Sequence, residues 1–580
     1  MPYANTRQRR HVMRDRSLKA STAALPPGTR TVHDCSPSDW SRGKMRMDSP
    51  FKDILHTNAV PSDADCQRIR AFLVGPRTEA EELTLKIGRI QAMLDDLTRK
   101  RDQLVNFIDA HLALVSPVRR LPDDVVQEIF EASLPSKYAV MDGAESPLLL
   151  CQVCRPWRRL ALLTPRLWAS LHVAAPPPSD VQKMNDAVNA WISRSGSVPL
   201  SLSFVASQED TLDYDVLSMI KTFVGVANRW ENIRLLIRGV HNIAPLAVLS
   251  PDDVPMLQSA VVEEYRADDS SEARTFLPFM GTPTLRRVAL MDQEPVLHSL
   301  PLYWQTLSHL SIHSHVEVRE ALAVLQQSPK LETCQLCLQP VEGPISPRSC
   351  HLEHLSQLCV IDWSCVGISL FRALVLPSLC RLEYTCYSVV EGPLPFLNLL
   401  SLDNCLKCLS LNIEELLAES LLEALRLVPM LQDLHMARDL KSPINGWGHT
   451  LGIHPSVISL LMPGSLHSTD MLCPRLRSIH LLHASISDDG LLQFIRSRTG
   501  PHLTNNNHLS HVHIKFDHWM QVDIMLSLQV LIANGLNISL RYNYSSFPLL
   551  GKFPYSPSNG NVLPSMYWAP LSTMWNMEDY

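Results

Sequence analysis

No stretch of the chain approaches the roughly 20 consecutive apolar residues that a membrane-spanning helix needs, and the first residues lack the apolar core of a signal peptide. These absences lead us to expect a soluble protein of the cytoplasm, the nucleus or both, with no membrane partner. Charge of one sign is scarce as well. A formal net charge of -6 over 580 residues is too small to argue for a nucleic-acid groove or an acidic-lipid surface, so no nucleic-acid partner is expected. The 14 cysteines are scattered without the dense spacing of a secreted disulfide scaffold, which points to reduced thiols. Asn537-Ile538-Ser539 and Asn543-Tyr544-Ser545 fit the glycosylation pattern, but without a secretory signal they read as chance matches.

Reactive chemistry is missing too. Cys151/Cys154, Cys334/Cys337 and Cys405/Cys408 each have the gap of half a zinc site. A closed site needs four ligands, and no second pair follows any of them at finger-like spacing. Neither a phosphate-cradling G-x-x-x-x-G-K-[ST] loop nor a glycine-flanked serine elbow occurs. Most of the 23 histidines, such as His309, His435, His480 and His511, fall on variable strand positions where a solvated face accounts for them. We therefore expect no catalytic residue, no metal and no cofactor: the chain reads as non-enzymatic.

What the chain has is apolar residues, 46% of the total against 19% charged, a balance that suits stacked layers of Leu, Ile and Val. Its length implies several structural units. Residues 1–77 mix Ser, Pro, Arg and Asp without periodicity and read as a disordered arm, with a basic cluster at Arg7, Arg9, Arg10, Arg14, Arg16 and Lys19. Residues 78–116 read as one helix. Leu83, Ile87, Ile90, Leu94, Leu97, Arg101, Leu104, Ile108, His111 and Val115 follow at alternating steps of four and three, a heptad seam that calls for a partner helix. Weak self-association through 83–115 is expected.

The seam ends at Ser116-Pro117, where proline forces the preceding residue out of the helical region. Residues 117–173 read as a small all-α module. Pro122 stands where a first helical residue tolerates proline, Asp123 and Asp124 favour the positive helix end, and Leu121, Val125, Val126, Ile129 and Phe130 share one face. A second apolar stripe holds Val153, Cys154, Trp157 and Leu160, followed by Leu167-Trp168. Pro156 falls inside it and predicts a kinked helix.

Beyond three prolines at 176–178, a pattern of the form apolar-x-x-apolar-x-apolar recurs. Its clearest copies start at Leu257, Leu285, Leu307, Leu331, Leu355, Leu379, Leu406, Leu431, Leu476 and Leu509. Most spacings fit the roughly 20 to 29 residues of a leucine-rich repeat, while the last two imply insertions or a missed unit. Stretches with helical patterning lie between the copies. Strand then helix, repeated, predicts an irregular leucine-rich-repeat-like α/β solenoid over 174–545, since stacking buries what one unit cannot. Eight residues after each first leucine the chain carries Tyr265, Gln293, His315, Gln339, Trp363, Tyr387, Glu414 and Asp439, so no asparagine ladder is expected. Residues 546–580 read as a tail or terminal cap.

Arg120-Leu121-Pro122 leading into Val125, Ile129 and Phe130, then Val153-Cys154-Arg155 with Trp157-Arg158, and Leu167-Trp168, resemble an F-box. The order of helix, F-box, Asn189-Ala-Trp191-Ile-Ser-Arg194-Ser195-Gly196 and degenerate repeats resembles a large F-box family of mushroom-forming fungi, as does Ser487-Asp488-Asp489 through Arg498. The resemblance covers roughly residues 80 to 515. It implies the substrate-recognition subunit of a Skp-cullin-F-box ubiquitin ligase, with Leu121, Pro122, Val125, Ile129, Phe130, Val153, Cys154 and Trp157 forming or supporting the surface for a Skp-type adaptor. The repeats would hold an unidentified protein substrate, and the cullin assembly would do the chemistry. The alternative is a scaffold without ligase coupling, self-assembling through its heptad helix.

Overall fold

The computed structural model describes residues 49–55, 57–206, 216–238, 240–265, 277–290, 297–340, 349–388, 390, 392–400, 405–413, 416–437, 456–462, 472–499 and 508–542. The basic cluster and the C-terminal tail lie outside them. The chain divides into two units, Met1–Arg119 and Arg120–Tyr580.

In the first unit, α1 (Asp63–Leu114) is a single helix of 52 residues. The Ser62 side chain caps it by accepting the Asp65 N–H at 3.2 Å, and Asp63 and Asp65 sit at its positive end. The helix thus takes in residues 63–77, which composition alone assigns to the disordered arm, and runs through Pro76. One interior proline removes one backbone hydrogen bond, and a capped helix of this length absorbs that loss. No residue of α1 is buried.

The second unit is α/β. Fourteen parallel strands, from Ser170–Ala174 to Asn537–Arg541, form one sheet in which spatial order follows chain order. Parallel neighbours need crossover connections, and helices such as Val318–Gln327, Ala418–Arg426 and Asp488–Arg498 supply them. The recurrent motif explains the layering. Its first leucine precedes a strand, and the two later apolar positions point to the same side because strand side chains alternate. Leu307, Leu310 and Ile312 are buried, and the next strand brings Cys334 beside Leu310 and Leu336 beside Ile312. Leu322, Leu325, Leu421, Leu425, Phe494 and Ile495 from the helices join the same continuous core.

Four strands escape the leucine motif because Trp168, Pro199, Trp230 and Gly535 stand at the first position. The two long spacings are insertions: Leu434 pairs directly with Ile479, and Ile479 with Val512, which leaves no room for another strand. Where an asparagine ladder is lacking, His315 lies edge-on to Trp363 (ring centroids 5.5 Å), and Trp363 stacks on Tyr387 (4.3 Å). One residue earlier, the buried Asp362 carboxylate accepts the N–H groups of Val366 (3.0 Å) and Gly367 (2.7 Å) and the Tyr384 hydroxyl (3.0 Å). A Cβ on Gly367 would lie 2.7 Å from that carboxylate, so any side chain there would force the carboxylate out of place.

Among the described residues no helix is long and apolar enough to cross a membrane. The layered core predicts that Leu409→Ala, in a fully buried inward row, destabilises the protein by about 2–5 kcal/mol. Leu526→Ala, at an exposed position, changes the denaturant midpoint little; urea unfolding compares the two.

Candidate functional site

The helical module is built from α2 (Asp123–Ala132), α3 (Leu150–Val153), α4 (Arg155–Leu162) and a 3-10 turn at Pro165–Trp168. Pro122 is the N-cap of α2 rather than its first helical residue. Val126 and Phe130, four apart, point inward and are buried. Val125 and Ile129, also four apart, point outward.

Pro156 does not kink a continuous helix as the sequence suggests. The chain breaks at Cys154, whose backbone is extended (φ -160°, ψ 167°), and a new helix begins with Pro156 in its first turn, where a missing N–H costs nothing. The Arg158 side chain spans the break by donating to the Cys151 carbonyl at 2.7 Å. Trp157 is half-buried and sets its ring edge-on to Phe130 at 4.9 Å. The Trp168 indole donates to the Ala161 carbonyl at 2.9 Å and packs edge-on to Trp191 at 4.8 Å, with the Arg194 guanidinium over its ring at 4.6 Å. These contacts seat the module on the first strand and its following helix.

The predicted docking residues divide into two sets. Val125 (40% exposed), Ile129 (45%) and Val153 (56%) lie in solvent, together with Pro122 and Cys154. Phe130 is buried and Leu121 and Trp157 are half-buried, so they support the face rather than form it. Sequence reading missed three further exposed apolar residues of the module, Leu149, Leu162 and Leu163. For Leu162 and Leu163 the signal was present in the run Leu160-Ala161-Leu162-Leu163, since a helix packed on one side buries only part of such a run. Val125 and Leu163 line an open groove, along with the Glu131–Arg166 ion pair at 3.4 Å.

A different part of the module closes the sheet. Tyr138, Ala139 and Val140, between α2 and α3, are buried. Val140 bridges to His172, whose N–H reaches the Ala139 carbonyl at 2.7 Å. The first edge strand is thereby covered without using Val125, Ile129 or Val153.

On the sheet, His435 and His480 depart from the expected solvated face, while His511 is exposed as expected. His435 is buried and His480 and His513 are half-buried. Register places them side by side on three consecutive strands. The rings of His435 and His480 stack at 4.3 Å, those of His480 and His513 at 5.6 Å. Burial, then mutual repulsion and Arg381, pushes His435 down to about 3; burial and the neighbouring His513 and His511 push His480 down to about 4. Burial likewise lowers His513, helped by Arg541 and Lys515. Burial thus favours the uncharged form of all three rings.

Elsewhere the charged residues act as clamps. Arg498 is fully buried and donates to the carbonyls of Leu461 (2.9 Å), Leu472 (2.7 Å) and Cys473 (3.0 Å). Asp488 accepts the N–H groups of Gln521 (2.9 Å) and Val522 (2.7 Å) and the Tyr542 hydroxyl (2.8 Å). Of the paired cysteines, Cys334, Cys337 and Cys408 are buried, and burial pushes Cys337 up to about 11 and Cys408 up to about 12. Among the described residues no three His, Cys, Asp or Glu side chains converge to hold a metal ion. A second concentration of exposed apolar residues, Trp519, Met520, Val522, Leu526 and Val530, lies near the C-terminal end of the described chain. No family model matches the chain, and no curated protein does.

The stack has a pH signature. An unfolded histidine titrates near 6.5, so between that value and the lower folded ones the unfolded chain binds more protons and folding weakens. Stability is full above about pH 6.5 and is lost as pH falls toward the folded values. Denaturant unfolding at a series of pH values should show this decline, and His435→Phe should make it shallower while keeping an aromatic ring in the stack.

Proposed function

We propose that the protein is the substrate-recognition subunit of a Skp-cullin-F-box ubiquitin ligase. Residues 117–173 serve as its F-box and residues 174–545 as an irregular leucine-rich-repeat-like solenoid that holds the target protein. The observation that carries this reading is the unused apolar face of the helical module. A module that served only to close the sheet would need its Tyr138–Val140 segment and no exposed valine or isoleucine elsewhere. Val125, Ile129 and Val153 in solvent are the kind of anchors that a partner desolvates, and the edge-on pair of Phe130 and Trp157 packs within the same module.

The role is one of positioning. The adaptor joins the face formed by Pro122, Val125, Ile129, Val153 and Cys154 and supported by Leu121, Phe130 and Trp157; the repeats bring a substrate, and the cullin assembly transfers ubiquitin. Such a protein works in the cytoplasm or nucleus, where those partners reside, and needs no cofactor. The long solenoid suits a protein substrate, because stacked units expose an extended surface rather than an enclosed pocket.

Co-expression of the full chain with a Skp-type adaptor tests the reading. The intact protein should co-purify stoichiometrically. The double substitution Val125→Asp, Ile129→Asp places charge on exposed positions, so it should leave the circular dichroism spectrum and melting temperature unchanged while weakening adaptor binding roughly 30-fold or more. An intact chain that binds no adaptor, or an aspartate variant that binds as well as the parent, contradicts it.

A further inference from the structure

The seam of α1 is periodic, apolar except at Arg101 and His111, and exposed from Leu83 onward. From Leu83 to Val115 its leucines, isoleucines and valine are all exposed. At 1.5 Å per residue the helix is about 78 Å long, and helices in water draw most of their stability from packing an apolar face. A repeat of 3.5 residues selects another supercoiled helix as the match, because only that geometry keeps a straight seam in register. The same heptad phase runs back through Cys66, Ile69, Leu73 and Pro76, but there it is half-buried. Phe51 folds back edge-on against Phe72 at 6.0 Å, and the exposed seam begins after that contact.

We propose that α1 pairs with α1 of a second copy of this chain, as an antiparallel two-stranded coiled coil centred near residue 99. Arg101 decides the orientation. A parallel pair in register would set Arg101 against Arg101 of the copy inside the seam. In the antiparallel pair Arg101 meets Leu97, Leu94 meets Leu104, and Ile90 meets Ile108. The Arg101 stem then covers apolar surface while its guanidinium reaches outward to Asp102, which it already contacts at 2.7 Å. The dimer carries two copies of the α/β unit, so a target with two binding sites gains avidity without any new contact. The inference rests on α1 alone and holds whether or not the helical module binds an adaptor.

Light scattering on the full chain should give twice the 65.2 kDa chain mass. Leu94→Asp with Leu104→Asp should return it to one chain mass, leaving the unfolding transition of the repeats in place because both positions are exposed. Mild oxidation of an equimolar mixture of Leu94→Cys and Leu104→Cys chains should yield a tryptic peptide pair linked between positions 94 and 104. Leu94→Cys alone should give no 94-to-94 link. A monomeric parent, a higher-order assembly, an aspartate variant that stays dimeric, or a 94-to-94 link each overturns the proposal.

Discussion

Each strand–helix unit of the sheet presents three apolar positions that it cannot bury by itself, and this constraint organises everything from Ser170 to Arg541. Leu382 is closed off because Leu358 and Leu409 flank it on adjacent strands, and those two depend on their own neighbours. Burial of apolar surface contributes about 25 cal/mol per Å², so the sum over fourteen strands is large, but it is held collectively. Such an array has two vulnerable ends. At the N-terminal end the solution is visible: Val140 and Ala139 lie against His172, so the helical module is part of the core and its position is fixed by it.

That attachment gives the exposed face of the module its meaning. Val125, Ile129 and Val153 sit on short helices whose inner residues Val126, Phe130 and Leu150 belong to the continuous core. A partner docking there would meet a preorganised surface, at little cost in conformational entropy. Where an asparagine ladder is lacking, buried charges fasten the loops and strands of the sheet. Asp362, Asp488 and Arg498 would each be costly in isolation, but each has several hydrogen-bond partners from neighbouring loops and strands. Arg498 keeps its charge at neutral pH even though burial lowers it to about 10.

Much of this was legible in the sequence. The ten leucine-led motifs mark ten of the fourteen strands, because a three-position apolar signature survives divergence when each position is buried. The other four strands were hidden by Trp168, Pro199, Trp230 and Gly535, which meet the geometric need with other shapes. The apolar pattern identified Phe130 as core and Val125 as a candidate contact on the same terms; only three-dimensional packing separates the residue that faces in from the one that faces out. Pro156 misled because the sequence does not show that Cys154 is extended. His435 and His480 misled for a related reason. A polar residue on a strand reads as solvated, yet side-by-side parallel strands bring His435, His480 and His513 close enough to shield one another. Asp362 carried no motif at all, and its role emerges only where Val366, Gly367 and Tyr384 converge on it.

The most direct measurement of the central claim is hydrogen–deuterium exchange on the full chain with and without a Skp-type adaptor. Slowed exchange confined to residues 118–163, with the repeats unchanged, is the predicted result and would place the adaptor on the exposed face of the helical module. Protection appearing only within the sheet, or in no segment at saturating adaptor, would contradict the account and leave the module with the sole task of closing the sheet.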